Sequence, residues 1–260
     1  MNINGKVVVI TGGGSGIGAA LARRFAAEGA SRIVVADLDG AAAADVAREV
    51  DGDARQLDVT DPAAVRALVD AVGAIDLFCS NAGIATGGGL DDDAMWHRVL
   101  EVNTMAHVYA ARAVLPGMLE RGGGYLLQTA SAAGLLTTPG DAPYTVSKHG
   151  AVALAEWLAI TYGGRGIKVS VVCPMGVETP LLMDGLRAGE PGAQAVAASG
   201  EIISPEQVAD AVVEGLAAER FLILPHPQVG TFWAQKASDP DRWLAGVRRL
   251  IEKGQQDGRS

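Results

Sequence analysis

Short runs of β-branched and apolar residues alternate along the chain with longer Ala-rich stretches, in which apolar positions recur every three or four residues. The short runs predict strands at 6–11, 32–36, 54–57, 75–80, 125–129, 167–173 and 221–224. The stretches between them predict helices at 16–28, 41–50, 62–72, 93–120, 143–162 and 205–218. All but one of the strand runs are mostly apolar rather than alternating, so both faces of each are expected to be buried, as in a parallel sheet covered by helices. The pattern predicts an α/β fold: a doubly wound, parallel seven-stranded sheet with helices on both faces, Rossmann-like. No repeat, linker or low-complexity tract divides residues 1–260, so a single domain is expected.

Three stretches depart from that rhythm. Residues 105–116 and 151–160 are apolar almost all round, which calls for cover on more than one side. A second subunit is the favoured cover, with burial inside the chain as the alternative. Residues 175–204 carry Gly185, Gly189, Pro191, Gly192 and Gly200 without a firm period. They read as a substrate-binding loop or lid, or else as a surface excursion. Residues 225–260 form a C-terminal extension with Phe232, Trp233 and Trp243. Trp243, Leu244, Val247, Leu250 and Ile251 predict a short amphipathic helix there, packed on the core or a neighbouring subunit, or covering the substrate.

Composition narrows the function. Hydrophobic residues make up 49% of the 260 and charged residues 20%, as in a globular protein rather than a disordered one. Lys plus Arg is 21 against 30 for Asp plus Glu, a formal net charge of −9. Such a chain is repelled by nucleic acid and by anionic lipid, so neither is an expected partner. The two cysteines, Cys79 and Cys173, lie in strand-like runs, and the four histidines lack metal-ligand spacing. No disulfide scaffold and no metal site are expected. The N-terminus runs directly into a strand, and the uncharged stretch between Arg121 and Asp141 is broken by Gln, Thr, Ser and Pro. Neither a signal peptide nor a membrane span is expected, and the localisation expected is cytoplasmic.

Candidate chemistry sits at the ends of the strands. The first is followed by Thr11-Gly12-Gly13-Gly14-Ser15-Gly16-Ile17-Gly18, which opens a helix. Glycines there allow backbone N–H groups to approach a pyrophosphate at the positive end of the helix. The spacing is Gly12-x-x-x-Gly16-x-Gly18, not G-x-G-x-x-G, and a cluster of turn glycines is the alternative. Asp37 ends the second strand, where a carboxylate can accept from the adenosine ribose hydroxyls of NAD and would repel a 2′-phosphate. No Lys or Arg lies in the loop or just after Asp37. Asp37 could instead cap the next helix. Tyr144 and Lys148 stand at i and i+4 on one helix face, where an ammonium would favour the phenolate and lower the tyrosine pKa. Such a Tyr can exchange a proton with an alcohol or carbonyl oxygen, and Ser131, ending the fifth strand, can bond the same oxygen. Alone, the pair is equally a feature of a helix surface.

Taken in order, the glycine loop, Asp58-Val59, Asn81-Ala82-Gly83, Asn103, Ser131 and Tyr144-x-x-x-Lys148 resemble the short-chain dehydrogenase/reductase family over nearly the whole chain. The resemblance implies that Asn103, Ser131, Tyr144 and Lys148 are catalytic. In it, Tyr144 is the acid/base and Ser131 steadies the substrate oxygen. Lys148 lowers the Tyr pKa and binds the nicotinamide ribose, and Asn103 holds a relay water. It places Gly12, Ser15, Gly16, Ile17, Gly18, Asp37, Asp58, Val59, Asn81, Ala82, Gly83, Tyr144, Lys148, Pro174, Val177 and Thr179 around the cofactor NAD. Hydride passes without a metal. A homo-oligomer, most commonly a tetramer, is also implied. The sequence departs from the family at Ser80, where Asn is usual, and at Met175, which follows Pro174 where Gly is usual.

Leu135, Leu136, Val177, Leu181, Leu182, Met183 and Leu186 are the apolar candidates for a substrate pocket, with Ser131, Leu136, Tyr144 and Met183 expected to touch substrate. They point to a hydrophobic small-molecule alcohol or ketone such as a steroid, terpene or aromatic alcohol. Two rival readings remain at this level: a ketoreductase acting on an acyl-carrier protein, disfavoured by the absence of a basic docking face, and a noncatalytic dinucleotide-binding regulator, disfavoured by the intact Ser131, Tyr144 and Lys148.

Overall fold

A computed structural model describes residues 1–257. Parallel strands β1 (Val7–Thr11), β2 (Arg32–Asp37), β3 (Asp53–Gln56), β4 (Leu77–Ser80), β5 (Gly124–Thr129) and β6 (Ile167–Val172) form one sheet with a short edge strand from the C-terminal part. The intervening helices are α1 (Gly16–Ala27), α2 (Gly40–Glu49), α3 (Pro62–Val72), α4 (Asp93–Leu100), α5 (Ala106–Glu120) and α6 (Ala142–Tyr162). Beyond β6 come β7 (Gly176–Val177), α7 (Pro180–Arg187), α8 (Pro191–Ala198), β8 (Ile202–Ile203), α9 (Pro205–Ala217), β9 (Leu222–Ile223), α10 (Gln228–Ser238) and α11 (Pro240–Asp257).

The sheet runs β3-β2-β1-β4-β5-β6-β9, with every pairing parallel. Because side chains alternate across a strand, the apolar runs feed two separate cores. Val9, Val34, Phe78, Leu126 and Val171 face one way, against Leu68 of α3, Val114 and Met118 of α5, and Leu158 of α6. Val8, Ile10, Val35, Leu77 and Leu127 face the other, against Leu21 and Phe25 of α1, Val46 of α2 and Val212 of α9. The exception among the strand runs is β3, whose Asp53-Ala54-Arg55-Gln56 forms a partly exposed edge.

Helix starts follow side-chain chemistry. Asp39, Asp61, Asp92 and Asp141 each accept backbone N–H groups at the starts of α2, α3, α4 and α6, and Ser204 forms a capping box with Gln207 at α9. Asp37 therefore caps nothing; Asp39 does that work.

One expectation is revised and two stretches gain detail. The helix expected over 93–120 is interrupted by a π turn at Glu101–Met105, where the Ala106 N–H reaches back to Glu101 O. Residues 175–204 are structured: β7 pairs with β8 in parallel, and α7 and α8 stand between them. Strands of two residues and helices of eight are too short to show a period. The C-terminal extension is two helices, with Phe232 of α10 and Trp243 of α11 6.1 Å apart between ring centroids.

The two all-apolar stretches separate. Ala106, Ala110, Ala111, Ala113, Val114 and Leu115 of α5 are buried within the chain, the alternative to cover by a second subunit. On α6, Trp157 is 54% and Ile160 84% exposed, in line with the exposed Val146 along one face. None of the described helices is long and apolar enough to cross a membrane.

Candidate active site

The order in which successive strands are added reverses between β1 and β4, and in a doubly wound fold the loops at the carboxyl ends of those strands diverge to leave a crevice. A cleft of about 370 Å³ opens there. At one end lies the glycine loop. A Cβ on Gly12, whose φ is +62°, would stand 2.8 Å from Ala82 Cα, and one on Gly18 would stand 2.0 Å from Gly12 O, so both contacts require glycine. Ser15 is the N-cap of α1 but its side chain makes no cap bond, unlike the capped starts of α2, α3, α4, α6 and α9. The first-turn N–H groups of α1 are left without a side-chain acceptor, at the positive end of a helix. That donor set suits a pyrophosphate.

Asp37 closes this end. Its carboxylate accepts from Gly14 N at 2.9 Å and Asp39 N at 3.0 Å, and it lines the cleft. Asp58 and Val59 line the same region; Thr60 donates to the Asp58 carboxylate and holds its pKa below the usual range. The cations lining the cleft are Lys148 at the far end and Arg98, whose charge faces Asp58.

The middle of the cleft is stapled across the switch point. Asn81 Nδ2 donates to Thr11 O and Gly12 O, both at 3.1 Å, while Thr11 Oγ1 accepts from Asn81 N at 3.0 Å and Ala82 N at 3.3 Å. The end of β4 thereby fixes the shape of the glycine loop.

At the far end Ser131, Tyr144 and Lys148 converge. Ser131 Oγ accepts from Ala133 N at 3.1 Å. Lys148 is 3% exposed, donates to Thr129 O at 3.1 Å, and lies 5.6 Å from the centroid of the Tyr144 ring. Asn103, in the π turn, is fully buried behind them. Its Oδ1 accepts from Ile84 N at 2.8 Å, and its Nδ2 donates to Ile84 O at 2.8 Å and Ser147 Oγ at 3.0 Å. The side chain is spent on protein partners, so it orders the segment after β4 and the helix that carries Lys148.

Burial sets the electrostatics of this end of the cleft. Burial pushes the Tyr144 phenol up to about 12, with a bond from Ser131 opposing the rise and the Asp141 charge adding to it. Burial also brings the Lys148 ammonium down to about 8.

Most of the cofactor positions expected from the sequence line the cleft. Gly18 lies behind the loop and Asn103 behind the floor. Leu136 and Met183 do not line it. Leu135 and Leu136 are buried in the core beneath α5 and α6, and Met183 and Leu186 lie off the cleft-facing side of α7, whose Leu181 and Leu182 do line it. Sequence reasoning also missed Asp141. Its buried carboxylate accepts from Thr86 N and Gly87 N at 2.9 Å, Thr86 Oγ1 at 3.1 Å and Tyr144 N at 3.0 Å. It thus clamps the segment after β4 to the start of the helix bearing Tyr144. An Asp three residues before a helical Tyr was the available signal, readable as a cap but not as a clamp.

Lys148 has no carboxylate within ion-pair distance, so its charged form is stored at a cost. Because its folded pKa of about 8 lies below 10.5, folding releases a proton between those values, and the group's contribution to stability improves as pH rises through that window. Lys148→Met should abolish turnover yet raise stability by about 1–3 kcal/mol below pH 8, with the gain shrinking towards pH 10.5. Urea unfolding of both proteins across pH 7 to 10 checks this; a less stable variant at neutral pH would contradict it.

Residues 6–189 match the short chain dehydrogenase family. The chain is 36% identical over 269 residues to the 1-deoxy-11-beta-hydroxypentalenate dehydrogenase of Streptomyces avermitilis, covering 97% of this chain and 96% of that one. It is 36% identical over 188 residues to a 2,5-dichloro-2,5-cyclohexadiene-1,4-diol dehydrogenase of Sphingobium indicum, covering 68% and 75%. A short-chain dehydrogenase/reductase of Burkholderia phymatum, solved in complex with NAD, superposes with a TM-score of 0.82 at 32% identity over 93% of this chain and 96% of that one. With its glycine loop, its stapled switch point and its Ser131, Tyr144 and Lys148 set in one cleft, the chain belongs to the short-chain dehydrogenase/reductase family.

Proposed function

We propose that this protein is an NAD-dependent dehydrogenase that interconverts a secondary alcohol and a ketone on a hydrophobic small molecule. The observation that carries the reading is one continuous cleft, with an uncapped helix start and Asp37 at one end and Ser131, Tyr144 and Lys148 at the other. NAD, when bound, supplies the hydride acceptor. The first turn of α1 holds its pyrophosphate and Asp37 its adenosine ribose. Asp58 and Val59 border the adenine, and Pro174, Val177 and Thr179 the nicotinamide end. Ser131 orients the substrate oxygen, Tyr144 exchanges the proton with it, and Lys148 bonds the nicotinamide ribose. Asn103 keeps the floor rigid.

Met175, Val177, Leu181, Leu182 and Val196 give the substrate end apolar walls. Relatives that dehydrogenate a hydroxypentalenate and a cyclohexadiene diol support a cyclic, largely apolar substrate. A carrier-protein substrate fits poorly with a net charge of −9, since acidic carriers would be repelled. The reading places the enzyme in the cytoplasm as a homotetramer, with the exposed α6 face of Val146, Trp157 and Ile160 in a subunit interface.

Three outcomes are expected. Asp37 would repel a 2′-phosphate, so kcat/KM with NAD should exceed that with NADP, and Asp37→Ala should narrow the ratio; equal efficiencies in the wild type would overturn the ribose assignment. Tyr144→Phe keeps the ring and loses only the phenol oxygen, so turnover should fall by at least about 10²-fold while NADH still binds. Retention of more than about a tenth of wild-type turnover would remove Tyr144 as the acid/base. Light scattering at micromolar concentration should return an oligomer, and a mass near 26.6 kDa would rule one out.

A further inference from the structure

His226 follows β9 and is 2% exposed, outside the cleft. Its Nδ1 accepts from Met175 N at 3.1 Å, and its Nε2 faces Glu201 O at 3.2 Å. A backbone N–H can only donate and a carbonyl can only accept, so the two contacts fix one neutral tautomer with the proton on Nε2. Burial lowers the His226 pKa, consistent with an uncharged ring. Met175 and Glu201 are the two roots of the segment that carries α7 and α8, and that segment supplies Leu181, Leu182, Ala193 and Val196 to the cleft wall. One imidazole from the C-terminal part bonds to both roots, beside the pairing of β7 with β8 and the burial of Val177 and Ile203 in the core.

The helix that begins just after His226 reaches the chain that leads away from Ser131. Lys236 of α10 donates from Nζ to Leu135 O at 2.8 Å and Leu136 O at 2.7 Å, a hundred residues away in sequence. Those carbonyls end the short turn that starts at Ser131. Val229, fully buried, seats α10 on the core between the two anchors.

We propose that residues 226–236 act as a strap that positions both walls of the substrate cleft, His226 pinning the two roots of the α7–α8 segment and Lys236 the chain beyond Ser131. Both are positioning residues; neither lines the cleft. The inference rests on the dehydrogenase reading for its kinetic effect but not for its structural one, and the test keeps the two apart.

Arg187 is the sole Lys or Arg between residues 175 and 204, and it is exposed on α7, so tryptic cleavage after it reports the anchoring of that segment without any substrate. His226→Ala should accelerate this cleavage by about tenfold in the intact protein. It should also raise KM for the alcohol by about fivefold, with kcat changing less. Asn at this position places an acceptor near Nδ1 and Gln a donor near Nε2, so His226→Asn and His226→Gln, each keeping one of the two bonds, should fall between wild type and Ala. Lys236→Met should raise KM while leaving cleavage after Arg187 at the wild-type rate. Unchanged cleavage and KM in His226→Ala would overturn the proposal, as would Asn and Gln variants no better than Ala, which would reduce His226 to filler. Should His226→Ala not fold, the Asn and Gln variants carry the same test. Faster cleavage in a protein that turns over no alcohol would leave the strap standing and sink the dehydrogenase reading instead.

Discussion

The hydrogen bonds joining Thr11 to Asn81 sit where the sheet changes direction, and the cleft depends on them. At a switch point the loops after the two central strands turn to opposite sides, and nothing in the ladder holds their ends together. Here one threonine hydroxyl and one asparagine amide do so. With that staple in place, Gly12 packs against Ala82, α1 starts without a side-chain cap, and Asp37 comes within 2.9 Å of Gly14 N. The open N–H groups at the start of α1 are thus a consequence of loop geometry, not of a missing residue.

At the far end of the cleft the organising constraint is the cost of burying charge. Lys148 lies in the interior beside a single backbone carbonyl, and Asp141 accepts four protein donors without a cation. The two solutions differ. Asp141 is fully hydrogen-bonded, so it can tie two chain segments together at little cost. Lys148 is under-bonded, so its protonation equilibrium is shifted into the range of ordinary cell pH, where a proton-handling site has use for it. The raised Tyr144 pKa follows from the same dry surroundings. Polar partners on three further elements, the π turn between α4 and α5, β5 and the segment after β4, hold this arrangement in register.

Much of this was legible in the chain, and the failures share a cause. Apolar runs at 6–11, 32–36 and 75–80 announced central parallel strands because burial on both faces leaves no polar positions. Tyr144 and Lys148 were legible because four residues on a helix is a local distance. Leu136 and Met183 were misplaced because a leucine or methionine near a pocket in sequence can face core, solvent or cleft, and the rotation of α7 decides among them. The π turn that holds Asn103 left no mark on the pattern, since one extra residue in a ladder alters the phase without altering the composition.

The sequence by itself determined the strand–helix alternation, the glycine loop, the carboxylate at Asp37 and the Tyr144–Lys148 pair, because each depends on local spacing or on residue type. Tertiary structure alone decided which groups meet: Asp141 with Thr86, Asn103 with Ile84 and Ser147, His226 with both Met175 and Glu201, and Lys236 with Leu135 and Leu136. It also decided the direction in which the Tyr144 and Lys148 pKa values move, because desolvation is set by the atoms that surround a group in space.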